Sequence, residues 1–196
     1  MIITSEVFKN NLNNYLNKDT KLSRDVKNGK LYKIINGLYE TNINTPGYLL
    51  AGSIYGPSYI SFDYALSYYG LIPEGVNVVT CATFDKKKKK QFNTQFGIFI
   101  YRDVPVLAYP EEIILKEEDN YSYQIATPEK ALCDKLYTLK TIKNYNELEK
   151  MLFDDLRIDI DIFKELDVYK IEKLSNLYYS INVKLLTKYM MRRFGK

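Results

Sequence analysis

The sequence predicts an α+β protein in two unequal parts. Three observations carry this. Helical periodicity in the first thirty residues gives way to a hairpin signal at Asn36-Gly37. Runs rich in β-branched and aromatic residues cluster between Val76 and Lys116. From Thr127-Pro128 onward, helix-start signals and apolar periodicity continue to the C-terminus.

Taken in order, Thr4 or Ser5 is positioned to cap a first helix, on which Val7, Phe8, Leu12, Tyr15 and Leu16 make one apolar stripe. Asn17-Lys18-Asp19 reads as a turn. Asp19 or Thr20 then caps a short second helix with Leu22 and Val26 facing inward, and Gly29 ends it in the left-handed conformation. Leu31 to Tyr39 is a hairpin about Asn36-Gly37. After a linker at 42–44, Thr45-Pro46 opens a helix to about Ile54. Ser61 caps another from Phe62 to Tyr69, stopped by Gly70 and Pro73. Strands are expected at 76–84, at Phe92 and at 96–101, with short additions at 104–109 and 111–116. Thr127 caps a helix with Pro128 at its first position, running to about Leu139. Helices at roughly 146–156, 161–166, 168–180 and 183–194 complete the chain. The expected organisation is therefore a short N-terminal winged helix-turn-helix-like module over 1–42. An α+β domain follows over 43–196, with a mostly antiparallel sheet and a helical C-terminal half.

Composition narrows the chemistry. A chain of 196 residues can bury a core without staples. It contains no His, which excludes Ser-His-Asp and Cys-His catalysis and His-ligated zinc. Cys81 and Cys133 are too few for a thiolate metal site or a disulfide framework and read as small buried apolar residues. Such scarcity suits a reducing cytoplasm, the expected location. No stretch approaches a membrane span, and the N-terminus lacks the basic-then-apolar pattern of a secretory signal. No cofactor and no metal are expected.

Charge is uneven along the chain. Residues 1–42 hold seven basic and four acidic side chains, 147–173 five basic and nine acidic, and 184–196 five basic and none acidic. The basic ends point to a polyanionic or acidic partner.

Helix, turn, short helix and hairpin is the order of a winged helix, whose second helix enters the major groove. Lys21, Ser23, Arg24, Lys27 and Asn28 would face outward there. Arg24 and Asn28 can each make two hydrogen bonds to a base edge, while Lys21, Lys27, Lys30 and Lys33 meet phosphates. Only two helices precede the hairpin, where a winged helix has three.

The segment Gly29-Lys30-Leu31-Tyr32-Lys33-Ile34-Ile35-Asn36-Gly37-Leu38-Tyr39 resembles the wing of AbiEi-type antitoxins. The block Gly56 to Glu74 (GPSYISFDYALSYYGLIPE) and the block Ile125 to Asp134 (IATPEKALCD) resemble the same family, in the same order, as does the tail Asp155-Leu156-Arg157-Ile158-Asp159. The resemblance implies the antitoxin of a bacterial type IV toxin–antitoxin pair linked to abortive infection and phage defence. It would be a non-enzymatic repressor that binds operator DNA of its own operon and opposes a nucleotidyltransferase-like toxin, directly or indirectly. The alternative is a protein-interaction module that docks the toxin, with little sequence-specific DNA binding.

Other features compete for a role. Asp159-Ile160-Asp161-Ile162 matches half of a nucleotidyltransferase metal site, but the phosphate-cradling Gly-Ser turn is missing upstream; an acidic interhelix turn is the plainer expectation. Lys86, Lys87, Lys88, Lys89 and Lys90 read as a solvated, mobile hairpin tip, or as a phosphate contact with DNA or with tRNA that the toxin would otherwise modify. Lys184, Lys188 and Arg192 step by four along the last helix, with Arg193 beside them. They form either the wet face of an amphipathic helix or a second nucleic-acid or toxin contact. Tyr15, Tyr32, Tyr39, Tyr55, Tyr59, Tyr64, Tyr68 and Tyr69 are expected to line the junction between the two parts.

Overall fold

The computed structural model describes residues 1–12 and 15–194. The chain is α+β, with two sheets and nine α-helices among the described residues. The first sheet holds β1 (Ile2–Thr4), β2 (Tyr32–Ile35) and β3 (Leu38–Glu40) in the order β1-β3-β2, antiparallel throughout. Between β1 and β2 lie α1 (Ser5–Asn10) and α2 (Lys18–Lys27). β1 was not foreseen; three residues are too few to show strand alternation.

Several local expectations are corrected here. Thr4 caps α1, its Oγ1 accepting from the Val7 amide. The helix stops at Asn10, so the apolar stripe does not run to Leu16: Val7, Tyr15 and Leu16 are exposed. Asn10 and Asn11 explain the stop, because Asn side chains compete for backbone partners and favour caps over helix interiors. Asn13 and Asn14 lie outside the described residues. Asn17, rather than Asp19 or Thr20, caps α2, so the expected turn is its cap and first turn. Gly29 closes α2 at φ +67°, and Gly37 takes φ +82° in the β2–β3 turn, as the hairpin signal requires.

After a 3-10 turn at Gly47–Leu50 come α3 (Ala51–Ile54), β4 (Tyr59–Ile60) and α4 (Phe62–Tyr68). Then follow β5 (Val78–Thr83), β6 (Lys90–Thr94), β7 (Gly97–Asp103), β8 (Ile113–Glu118) and β9 (Tyr121–Ala126). The second sheet has the order β6-β7-β5-β4-β9-β8. Its β5–β7 and β4–β9 junctions are parallel and its other three antiparallel, so it is mixed. Residues 104–109 form a turn rather than a strand, with Ala108 and Tyr109 amides bonded back to Pro105.

The mixed order also relocates the lysine run. β5 and β6 do not pair with each other; both flank β7. Lys86–Lys90 is therefore a crossover passing the end of β7, not a hairpin tip. Asp103 at that end holds it, accepting from Thr83 Oγ1 at 2.6 Å and from the Lys87 amide at 2.6 Å.

The helical half contains α5 (Pro128–Tyr137), α6 (Tyr145–Glu149), which continues as a π-helical stretch over Lys150–Asp155, α7 (Ile160–Lys164), α8 (Val168–Tyr178) and α9 (Ile181–Phe194). α5 sits at the centre, packed against α4, α8, α9 and β9. A single apolar cluster runs through the sheet residues Cys81, Phe99 and Ile125 and the helical residues Leu132, Leu174 and Leu186, and it includes Ile34 and Leu38 of the small sheet. The β2–β3 hairpin also leans on the β6–β7 turn, where Gln95 Nε2 donates to the Lys33 carbonyl at 2.8 Å.

Candidate nucleic-acid interface

α2 is anchored by Leu22 and Asp25, its two buried residues. Lys21 donates to both carboxylate oxygens of Asp25 at 2.6 and 2.7 Å, so its charge is spent inside the module. Asp25 was not singled out in the sequence, although Lys21 and Asp25 have i, i+4 spacing. Ser23, Arg24, Lys27 and Asn28 are exposed, and neither Arg24 nor Lys27 has an ion-pair partner among the described residues. Asn28 is the C-cap residue; its amide bonds back to the Arg24 and Val26 carbonyls, leaving its side chain outward. Lys30, just before β2, and Lys33, within it, are exposed as well. Arg24 and Lys27 on the helix and Lys30 and Lys33 at the hairpin are thus all open to solvent.

The lysine run divides. Lys86 Nζ donates to the Gly56 carbonyl at 3.2 Å and lies 5.3 Å from the centre of the Tyr55 ring. Lys87 sits 3.9 Å from Asp85, Lys88 and Lys89 are exposed, and Lys90 opens β6.

On α9, Lys184, Lys188 and Arg192 are exposed and border a groove of about 630 Å³ shared with Glu172 and Asn176 of α8. Arg193 is engaged elsewhere: it pairs with Glu149 at 2.8 Å, and Tyr189 donates to the same carboxylate oxygen at 2.9 Å.

The α5 block forms a buried polar cluster that the sequence did not reveal. Lys130 and Asp134 are both fully buried, with Lys130 Nζ 3.6 Å from Asp134 Oδ1. Asp134 Oδ2 accepts from Tyr59 at 2.9 Å and Ser61 at 2.6 Å, and Oδ1 accepts from Tyr178. Lys130 also donates to the Ala108 carbonyl and lies 4.8 Å from the Tyr178 ring centre. Burial raises the Asp134 carboxyl above its ordinary range and lowers the Lys130 ammonium, the two charges opposing that trend in each other. Burial also holds the Tyr59 and Tyr178 phenols well above 10, with the Asp134 charge adding to it.

Ser61 is corrected accordingly: it precedes α4, but its hydroxyl bonds Asp134 instead of capping the helix. Several tyrosines expected at the junction lie elsewhere. Tyr59 is in this cluster, Tyr55 packs on Phe92 and Tyr101, and Tyr68 and Tyr69 meet Lys116 of β8. Lys130 and Asp134 share a helix face at i, i+4 spacing, which reads as a wet face, yet seven of the ten α5 residues are buried.

Asp159 accepts from the Asp161 and Ile162 amides and caps α7, while Asp161 pairs with Lys164 at 2.9 Å. Among the described residues no group of three or more His, Cys, Asp or Glu is placed to hold a metal ion. No described helix is long and apolar enough to cross a membrane. No family model matches the chain, and no curated protein matches it significantly.

Proposed function

We propose that this chain is a cytoplasmic, non-enzymatic antitoxin that represses its own operon and opposes a nucleotidyltransferase-like toxin. The observation that carries the reading is the first sheet. A strand, two helices and a hairpin close into the order β1-β3-β2, and the second helix leaves Arg24 and Lys27 exposed, with no ion-pair partner among the described residues. That order supports reading the module as a winged helix lacking its first helix. It supports DNA contact through α2, with Arg24 and Asn28 aimed at base edges and Lys27, Lys30 and Lys33 at phosphates. The resemblance of the wing and the two longer blocks to AbiEi-type antitoxins supplies the operon and the toxin.

A mobility-shift titration on the promoter upstream of the coding region tests it. The wild-type chain retards that fragment in preference to an unrelated duplex of equal length. Arg24→Ala with Lys27→Ala abolishes the preference. Equal, salt-sensitive retention of both duplexes by the wild type rejects sequence-specific repression, because phosphate contacts alone do not discriminate. A nucleotidyltransferase reading frame beside this gene is the matching genomic observation.

A further inference from the structure

We infer that the groove between α8 and α9 binds a segment of single-stranded RNA, independently of whether α2 reads an operator. Lys184, Lys188 and Arg192 stand on one edge of a groove of about 630 Å³ and have no ion-pair partners among the described residues. Successive members are one helical step of four residues apart, about 6 Å along the axis. That is close to the separation of neighbouring phosphates on one strand. The whole row spans about 12 Å, too long for a nucleoside triphosphate, whose phosphorus atoms are only one bridging oxygen apart.

Two further features choose among anionic partners. Arg192 also borders a second hollow of about 250 Å³ lined by Tyr145, and its guanidinium lies 5.9 Å from the Tyr145 ring centre. A cation row leading to a half-buried aromatic ring suits backbone plus base, the pattern of single-strand binders, better than it suits an acidic peptide.

The opposite wall is α8, where Ser175 and Asn176 both donate to the Glu172 carbonyl; Thr187, on α9 with the cations, donates to the Val183 carbonyl. The exposed Glu172 carboxylate borders the groove on that side. A carboxylate beside phosphates repels unless a donor stands between them, and the ribose 2′-hydroxyl is such a donor. DNA lacks it.

Fluorescence anisotropy of the full chain with a short labelled single-stranded RNA tests this, with DNA of the same sequence and polyglutamate as comparison arms. Binding should fall with salt at a log–log slope of about −2, three phosphates at about −0.7 each. Lys184→Ala, Lys188→Ala and Arg192→Ala combined should weaken it about tenfold or more and flatten the slope. Tyr145→Ala should weaken it about tenfold with the slope unchanged. Glu172→Gln should narrow the preference for RNA over DNA. Unchanged affinity in the triple variant, with its urea midpoint intact, overturns the inference. So does equal affinity for DNA, or displacement of RNA by polyglutamate at equal charge. Promoter retention measured on the same preparations should survive the triple variant, so this site and the α2 interface can fail separately.

Discussion

Helices α2 and α5 are both ten residues long, both capped by a side chain that accepts from the third helical amide, and both carry Lys and Asp four residues apart. In α2 the pair Lys21–Asp25 closes at 2.6 Å at the margin of the module, with the Lys side chain 18% exposed. In α5 the pair Lys130–Asp134 is fully enclosed, and at 3.6 Å its ions are further apart. The difference lies in what stands opposite. Tyr59, Ser61 and Tyr178 reach Asp134 from three other elements, whereas Asp25 has Lys21 and its own helix. The same spacing along the chain thus makes a surface brace in one helix and a charged keystone in the other. Long-range partners decide which.

The largest test of that contrast is to delete each carboxylate in turn. Asp134→Ala leaves the Lys130 ammonium buried and without its counter-charge and should cost about 3–5 kcal/mol in urea unfolding. Asp25→Ala lets Lys21 turn to water and should cost about 1 kcal/mol. Equal losses would break the comparison. Tyr178→Phe sharpens it from the other side. It removes one of three hydroxyl donors to a buried carboxylate and should cost about 1.5–3 kcal/mol.

Alkaline pH probes the same enclosure. Burial raises the Cys81 and Cys133 thiols above their ordinary 9.0, and the Tyr59 and Tyr178 phenols above 10.0. The folded chain therefore keeps protons that the unfolded chain has already lost. The stability these groups contribute is complete below pH 9 and declines as pH rises through 9 and 10. Lys130 runs the other way, since burial lowers it from 10.5, so its contribution grows as pH approaches that value. Half-buried phenols elsewhere, such as Tyr69 and Tyr109, are raised too, and against Lys130 and Tyr68, which are lowered, the raised groups dominate and give a net fall. Urea midpoints from neutral to alkaline pH should drop, and Tyr178→Phe should drop less steeply; a flat wild-type profile counts against the enclosure.

What could be read from the chain divides along the same line. The caps at Thr4 and Thr127, the Asn36-Gly37 turn and Gly29 were legible because each acts on its own neighbours. So were the outward positions of Arg24 and Lys27, which follow from Leu22 on the opposite face. The roles of Ser61 and Asp134 were not, because their bond spans 73 residues. The lysine run was misplaced for a related reason. A hairpin is the default for consecutive strands, and nothing near Lys86–Lys90 announces that β7 inserts between them. β4 and β9 were missed because a two-residue strand shows no alternation, and because β9 ends in the same run that starts α5.

Smaller effects bear on surface groups. Asp159→Ala removes the α7 cap and should cost about 1 kcal/mol, while Asp159→Asn, which can still cap, should cost only a few tenths. Thermal melts distinguish these. A loss of the proposed antitoxin activity in Asp159→Asn, with the fold intact, would show that this carboxylate does more than cap.

The smallest stability change is expected where the functional change is greatest. Arg24 and Lys27 are exposed on α2 and have no ion-pair partner among the described residues, so replacing both with Ala removes no buried ion pair. Ala is also the better helix former at exposed positions, which offsets the little packing their stems provide. The pair should alter unfolding free energy by no more than about 0.5 kcal/mol. If each had been held inward like Lys130, the same change would cost several times that. A urea titration on the double variant therefore separates the two helices with one measurement. Near-zero loss places these cations in reserve for a partner. A loss comparable to that of Asp134→Ala would make α2 a second structural keystone and leave the DNA-contact reading without its helix.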